Sequence, residues 1–220
     1  GFEEGSYHEI SGYSNQHESE HDYFTVGHTS TSISLAVGLA KARDLKQEKG
    51  NIIAFIGDGS LSGGLAFEGL NNGGTINSNL IVLVNDNEMS IDENQGSLYR
   101  HLAELRESNG TSNDNLFKAM GYDYRYIADG NDLETVIEVF REIKDIDHPI
   151  VLHVHTEKGH GYEPAVENKM KYHWHVPFDL ETGEAKNAPT SESFNQIIMN
   201  YLDEKTKTSA TPIVAVNAAI

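Results

Sequence analysis

Apolar residues along this chain fall in short runs that polar and glycine-rich stretches separate. Two of the runs, NIIAFIG (51–57) and NLIVLV (79–84), are continuous, which is typical of buried parallel strands. The stretch between them, LSGGLAFEGLNNGG (61–74), predicts a helix despite its glycines. Strand, helix and strand in so short a span predict a βαβ unit.

The same alternation continues on both sides of this unit. Further strands are predicted at YFTV (23–26), YDYRYI (122–127), PIVLHVHT (149–156) and TPIVAVN (211–217). The pattern therefore predicts an α/β fold with a mainly parallel sheet flanked by helices.

Helical spacing accounts for most of the remaining apolar positions. Ile33, Val37 and Ala40 predict a helix that stops before Gly50. Asn131 and Glu134 form a capping box for a second helix. We expect its apolar face to consist of Val136, Ile137, Phe140 and Ile143. SFNQIIMNYLDE (193–204) predicts a third helix, whereas residues 1–22 and 163–190 are expected to be largely loop.

Composition limits the kinds of partner. A net charge of -18 opposes nonspecific nucleic-acid binding, because phosphate backbones are held by clustered Lys and Arg. The apolar runs are too short to cross a membrane, so we expect no membrane partner. The absence of cysteine suits a reducing cytoplasm.

A candidate anion and metal site follows the first two buried strands. Asp58 stands between Gly57 and Gly59, where ligands of an open parallel sheet bind. The backbone N–H groups of Gly59 and Ser60 would open the next helix and face a phosphate. Asp58 supplies a hard oxygen ligand of the kind that Mg²⁺ or Ca²⁺ prefers.

The end of the neighbouring strand offers two more oxygen ligands. The side-chain amide of Asn87 and the carbonyl of Met89 could join Asp58 around one Mg²⁺. Such a cation would offset the charge of a diphosphate, which an acidic chain must neutralise locally. An isolated GDG is a common turn, but GDG after one apolar strand with an asparagine after the next is far more specific.

These residues resemble the signature of thiamine diphosphate enzymes, in which GDG precedes an asparagine by just under thirty residues. VGHTSTSIS (26–34), NDNEMSI (85–91) and TEKGHGYEPA (156–165) further resemble the 1-deoxy-D-xylulose-5-phosphate synthase family of that transketolase-like superfamily. The resemblance runs from about residue 21 to residue 178. It implies a diphosphate-binding domain over residues 1–190, then a linker helix and the start of a pyrimidine-binding domain over 191–220.

The resemblance also implies roles for individual residues. Asp58, Asn87 and the Met89 carbonyl would ligate Mg²⁺, and Gly59 and Ser60 would contact the diphosphate. The remaining residues expected to line the thiamine diphosphate site are Gly27, His28, Thr29, Lys158 and Tyr162, with His28 as the catalytic candidate. A family histidine near the substrate corresponds to either His173 or His175, and the sequence leaves that choice open.

The family reaction condenses pyruvate with glyceraldehyde 3-phosphate, with loss of carbon dioxide. Its product, 1-deoxy-D-xylulose 5-phosphate, is a precursor of isoprenoids, thiamine and pyridoxal, and the family is cytoplasmic and homodimeric. Family members carry further histidine motifs before the counterpart of residue 21 and an activating glutamate in the second domain. We therefore expect the 220 residues to be an incomplete piece of a longer enzyme, inactive alone.

Two other functions remain as alternatives to this one. The chain could belong to a transketolase-like enzyme with a different acceptor, or to a non-catalytic subunit that pairs with a separate pyrimidine-binding chain. His153 and His155 alternate on one predicted strand, a spacing that favours a structural or pocket-lining role over zinc binding.

Overall fold

The computed structural model describes residues 13–18, 20, 22–186 and 192–208, which belong to two compact units. One unit is Tyr23–Trp174, and the other combines Gly1–Asp22 with His175–Ile220. Among the described helices, none combines the length and apolar character that crossing a bilayer requires. The predicted strand at 211–217 lies outside the described residues, and the predicted domain boundary near residue 190 stays a prediction.

A four-stranded parallel sheet of order β1-β2-β4-β3 organises the unit Tyr23–Trp174. Its strands are β1 (Ile53–Gly57), β2 (Leu80–Asp86), β3 (Asp123–Ile127) and β4 (Pro149–His155). This architecture confirms the predicted α/β fold with a parallel sheet.

Helices cover both faces of the sheet. The helices of this unit are α1 (Ser32–Leu45), α2 (Asp58–Leu61), α3 (Gly64–Gly73), α4 (Ser97–Glu107), α5 (Leu116–Ala119), α6 (Leu133–Ile143) and α7 (Glu163–Glu167). Val82 and Val84 of β2 pack into the core beneath α1, α3, α4 and α5. Ile81 and Leu83 point to the opposite face and pack with residues of α6. Burial on both faces explains why β2 reads as one continuous apolar run.

The second unit contains α8 (Phe194–Thr208), which confirms the helix predicted at 193–204. A short antiparallel bridge joins Phe178 to Ala185 in the same unit.

Several predictions about local structure were wrong. Residues 23–26 form no strand, since no strand of the described sheet lies beside them to complete a ladder. The helix predicted at 61–74 is two helices, because the backbone of Gly63 is extended (φ -71°, ψ 144°) and separates α2 from α3. α2 also begins earlier than predicted, at Asp58. β1 is only half-buried, because Ala54 and Ile56 pack with residues of α1 and α3 whereas Phe55, 62% exposed, lies on the opposite face, where the described core beneath α6 includes no residue of β1.

The start and face of α6 also differ from the prediction. Asp132, rather than Asn131, caps the helix by accepting the N–H of Thr135 at 3.3 Å. The Asn131 side chain instead accepts the N–H of Glu157 at 2.8 Å. Ile137 is 38% exposed, because the stripe that meets the sheet follows residues 136, 139, 140 and 143 at helical spacing.

Three helices had no counterpart in the sequence prediction. α4 and α5 lie in a stretch for which no element was predicted, although Leu98, Leu102 and Leu105 recur there at helical spacing. α7 lies within the segment expected to be loop and starts near Pro164.

Candidate functional site

The ladder between β1 and β2 brings the two halves of the predicted site together. Gly57 pairs with Asn85, so the residues that follow, Asp58 and Asp86, occupy neighbouring positions at the carboxyl edge of the sheet. Both carboxylates are buried, Asp58 being 2% and Asp86 1% exposed. The structure thus concentrates negative charge where the sequence predicted a cation.

The carboxylate of Asp58 has one engaged oxygen and one unsatisfied oxygen. Oδ1 accepts the N–H of Gly59 at 2.7 Å. Oδ2 is buried without a hydrogen-bond partner among the described residues. A buried carboxylate oxygen without a partner is costly, and a bound cation would satisfy it. The same Asp58–Gly59 contact engages an N–H group that was predicted to face the phosphate.

The ionisation of Asp58 follows from this environment. Burial, together with the negative charge of Asp86, raises the pKa of Asp58 to about 6. A divalent cation at Oδ2 would reverse this effect by favouring the ionised form. A hard cation bound at Asp58 would therefore stabilise the site, whereas without a cation the buried charge of Asp58 is costly.

A tight loop after β2 carries the other predicted ligands. The Asn87 side-chain oxygen accepts the N–H of Met89 at 3.2 Å, and the N–H of Asn94 returns to the carbonyl of Glu88 at 3.2 Å. The loop lies directly over α2, because a β-carbon built on Gly59 would stand 2.5 Å from Cβ of Ser90. Asn87 and Met89 are thus carried on the loop that covers the Asp58 turn, while ligation by them stays a prediction.

Lys158 reaches the same loop from the segment after β4. Its Nζ donates to the carbonyl of Ser90 and lies 3.0 Å from Nδ1 of His173. Burial lowers the pKa of Lys158, whereas the charge of Asp58 acts in the opposite direction. A cation at this position can balance part of the charge of a diphosphate. Because His173 contacts Lys158, it also lies near the predicted site.

The turn that contains Gly27, His28 and Thr29 is exposed. Nδ1 of His28 lies 2.6 Å from the carbonyl of Thr29. The turn packs on the junction between α2 and α3, where a β-carbon on Gly63 would stand 2.5 Å from Cβ of Ser30. The catalytic and cofactor-lining roles predicted for these residues stay predictions.

Two further candidates lie elsewhere on the chain. Tyr162 precedes α7, and its ring packs edge-on against Tyr172 with centroids 5.6 Å apart. His175 belongs to the other unit, where its Nδ1 lies 2.7 Å from the carbonyl of Val176. The choice between His173 and His175 as a substrate contact stays open.

Asp86 contacts Arg106, for which the sequence predicted no role, and His153, for which it predicted a structural or pocket-lining role. Oδ2 of Asp86 accepts hydrogen bonds from His153 Nε2 at 2.8 Å and from Arg106 at 2.5 Å. Burial alone would raise the pKa of Asp86, but the hydrogen bond and charge of His153 and the charge of Arg106 lower it to about 2. Since the Nδ1 atom of His153 lies 2.7 Å from the hydroxyl of Tyr124, both ring nitrogens have partners. His153 is accordingly a buried structural side chain, in line with the prediction.

A separate group of His101, Glu104 and Asp114 places three potential ligand atoms within 4.8 Å of one another. Nε2 of His101 accepts the N–H of Leu116 at 3.1 Å. In the neutral ring the proton is therefore on Nδ1, which leaves no lone pair there for a metal. This group is a hydrogen-bonded cap on the α4–α5 connection.

The fold and the site define an α/β protein with a parallel sheet. At the carboxyl edge of the sheet lies a buried carboxylate, one oxygen of which has no hydrogen-bond partner among the described residues. The family model described as 1-deoxy-D-xylulose-5-phosphate synthase matches residues 5–114 and 108–156. The chain belongs to this family.

Curated relatives with the same name agree with that assignment. The protein from Clostridium beijerinckii is 39% identical over 251 residues, covering 96% of this chain and 40% of the relative. The protein from Porphyromonas gingivalis is 39% identical over 237 residues, covering 89% of this chain and 37% of the relative. The chain thus spans about 40% of the length of such relatives. Among solved structures, a transketolase from Leishmania mexicana has a TM-score of 0.46 and 23% identity, covering 60% of this chain and 20% of that one.

Proposed function

We propose that this chain provides the metal- and diphosphate-binding part of a 1-deoxy-D-xylulose-5-phosphate synthase. The enzyme would be a transferase that condenses pyruvate with glyceraldehyde 3-phosphate, releasing carbon dioxide. The observation that carries the proposal is the buried Oδ2 of Asp58, which has no hydrogen-bond partner among the described residues and lies beneath the loop that bears Asn87. Membership of the family supplies the reaction and its cofactor, thiamine diphosphate.

The metal in this proposal is Mg²⁺, held by Asp58, Asn87 and the carbonyl of Met89. These are the oxygen ligands that this small, hard cation prefers, and phosphate oxygens and water commonly complete its shell. Neither Asn87 nor Met89 adds negative charge to the site. The buried carboxylate of Asp58 therefore dominates its attraction for a cation, since the charge of Asp86 is already balanced by Arg106.

The cofactor in this proposal lies between the α2 turn and the segment after β4. Gly59 and Ser60 would contact its phosphates from one side, and Lys158 would add a positive charge from the other. Gly27, His28 and Thr29 would line the site from the turn before α1, and Tyr162 would contact the cofactor from the turn before α7. When bound, thiamine diphosphate supplies the electron sink for loss of carbon dioxide from pyruvate.

The chain's residues would perform the remaining tasks of binding and orientation. His28 is exposed and lies on a turn that packs against Gly63, at the end of α2. From there its ring could hold or transfer a proton close to the bound substrate, which is the catalytic role we assign to it. The proposal also places the product in isoprenoid and thiamine biosynthesis, and the enzyme in the cytoplasm as a homodimer, as is usual for the family.

Thiamine diphosphate binding with and without Mg²⁺ tests the metal site. We expect binding by the unaltered chain to require Mg²⁺ and to be lost in Asp58→Ala. This variant removes an unsatisfied buried charge, so it should fold at least as well as the original chain. The exposed Asp114→Ala is the matched control and should bind normally. Undiminished, metal-independent binding by Asp58→Ala would refute the proposed site.

Product analysis tests the substrates. With pyruvate as donor, the enzyme that contains this chain should yield 1-deoxy-D-xylulose 5-phosphate from glyceraldehyde 3-phosphate. Turnover with a different acceptor aldehyde, and none with glyceraldehyde 3-phosphate, would contradict the proposed reaction.

A further inference from the structure

Asp86 is a buried carboxylate for which the proposed function has no use. It adjoins the predicted ligand Asn87 and lies beside Asp58, so its own oxygens could in principle compete for the metal. The structure shows both of them engaged. Oδ1 accepts the N–H of Glu88 at 3.1 Å, while Oδ2 accepts from His153 and Arg106. A carboxylate that accepts three hydrogen bonds from the protein, and whose charge is balanced by Arg106, serves to position groups rather than to ligate a metal.

The group that Asp86 positions is the backbone of the loop after β2. Glu88 has φ of 68°, a left-handed conformation that side-chain-bearing residues rarely adopt. Such a conformation persists only where the surroundings hold it in place. The Asp86–Glu88 hydrogen bond spans Asn87, so the same contact sets the direction in which the Asn87 side chain and the Met89 carbonyl point.

The side chain of Glu88 also contacts residues of α4 and β4. Its Oε2 lies 3.2 Å from NH2 of Arg106, and its Oε1 lies 3.2 Å from Nε2 of His155. Arg106 thus contacts both Asp86 and Glu88 from α4, and the histidines contact them from β4. The loop is therefore tied to α4, the next helix along the chain, and to β4, whose His155 is separated from Glu88 by 67 positions in the sequence.

From this geometry we infer that Arg106 and His153 are positioning residues that act through Asp86 to hold the Asn87–Met89 turn in its Mg²⁺-ligating conformation. The inference rests on the proposed function, since it assigns a task at the same metal site. The hydroxyl of Tyr124 extends the arrangement by fixing the ring of His153 at 2.7 Å. Outer residues that orient metal ligands change metal affinity about 10–100-fold when they are removed.

The test measures thiamine diphosphate binding by calorimetry over a range of Mg²⁺ concentrations. For Arg106→Met we expect an apparent Mg²⁺ constant weakened about 10–100-fold, with full cofactor binding restored at high Mg²⁺. Arg106→Lys should recover part of the affinity, because it keeps the charge but not the two-pronged contact. Arg125→Met, which breaks the exposed Arg125–Glu142 ion pair, is the matched control and should leave the constant unchanged.

Tyr124→Phe keeps the inference testable if Arg106→Met does not fold. This variant retains the ring that stacks on Phe117 and removes only the hydroxyl that contacts His153. We expect its Mg²⁺ constant to weaken in the same direction, by less than in Arg106→Met. A lowered melting temperature with an unchanged Mg²⁺ constant in the folded variants would overturn the inference, because it would show a purely structural role. Failure of the unaltered chain to bind thiamine diphosphate with Mg²⁺ would instead refute the proposed function, and the inference with it.

Discussion

Gly59 and Ser90 approach each other so closely that a β-carbon on Gly59 would stand 2.5 Å from Cβ of Ser90. No side chain fits between the α2 turn and the loop that covers it. Gly59→Ala should therefore lift the loop and weaken thiamine diphosphate binding, with a loss of stability of about 1–3 kcal/mol. Calorimetry and chemical denaturation measure the two effects.

Two further variants show whether this close approach is the cause. Gly64→Ala adds a methyl group at a position where no atom of the described residues outside its own stretch of helix lies within 4 Å, and should bind normally. Ser90→Gly combined with Gly59→Ala removes the clashing carbon and should recover much of the lost affinity. Equal loss in the single and double variants would exclude the steric explanation.

Gly63 lies equally close to the turn that carries His28. A β-carbon there would stand 2.5 Å from Cβ of Ser30, whose φ of 71° already marks a constrained backbone. Gly63→Ala should displace the Gly27–Thr29 turn and weaken cofactor binding if that turn lines the site as proposed. Gly38→Ala on the open side of α1 is the control and should bind normally, with a gain in stability of about 0.5–1 kcal/mol. Normal cofactor binding by a folded Gly63→Ala would argue against a role for His28.

The pKa of Asp58 predicts how the stability of the metal-free chain depends on pH. Burial beside Asp86 raises this pKa from 3.8 to about 6, so the folded state holds the proton more tightly than the unfolded state does. The contribution of Asp58 to the free energy of unfolding should therefore decrease as pH rises from about 4 to about 6, and stay lower above that range. Asp58→Asn should be more stable than the original chain by roughly 3 kcal/mol at pH 8, and equal to it well below pH 4.

Urea unfolding at several pH values, with a chelator present, measures this dependence. The exposed Asp114→Asn is the control and should show no such pH-dependent gain. An advantage of Asp58→Asn that is the same at every pH would show that packing, rather than ionisation, is responsible. Mg²⁺ should bind the unaltered chain less tightly below pH 6, because protons then compete for Asp58.

The contact between Gly73 and Tyr122 lends itself to a double-mutant cycle. The hydroxyl of Tyr122 donates to the carbonyl of Leu70 at 2.9 Å, and a β-carbon on Gly73 would collide with that hydroxyl. Tyr122→Phe should cost about 1 kcal/mol of stability, and Gly73→Ala about 1–3 kcal/mol. The double variant should be more stable than the sum of these losses implies, and strict additivity in thermal unfolding would contradict the collision.

Features that depend on residues close together in the chain could be predicted from the sequence. β2 and β4 were predictable because burial on both faces makes each a continuous apolar run. The proximity of Asp58 to the Asn87 loop followed from the rule that consecutive parallel strands end at the same edge. Both depend on neighbours within one βαβ unit.

Features that depend on distant partners were not accessible in this way. Whether residues 23–26 would pair as a strand depends on a neighbouring strand that the pattern does not specify. Arg106 and His153 gain their roles from Asp86, which lies on a different element, 20 positions from Arg106 and 67 from His153. The sequence does not distinguish an exposed arginine from one that pairs with a buried carboxylate, and only the fold shows which carboxylate the arginine contacts.

The strand order β1-β2-β4-β3 has a consequence for synthesis of the chain on the ribosome. β4 is the last of the four strands to be made, yet it occupies an interior position between β2 and β3. Until His155 has emerged, β2 has an open edge, and His153 has not arrived to meet Asp86. A nascent chain paused before that point would expose an apolar strand edge that invites mispairing. Such a chain would also lack the contact of His153 with Asp86, so Mg²⁺-dependent cofactor binding at the proposed site should begin only after β4 has joined the sheet.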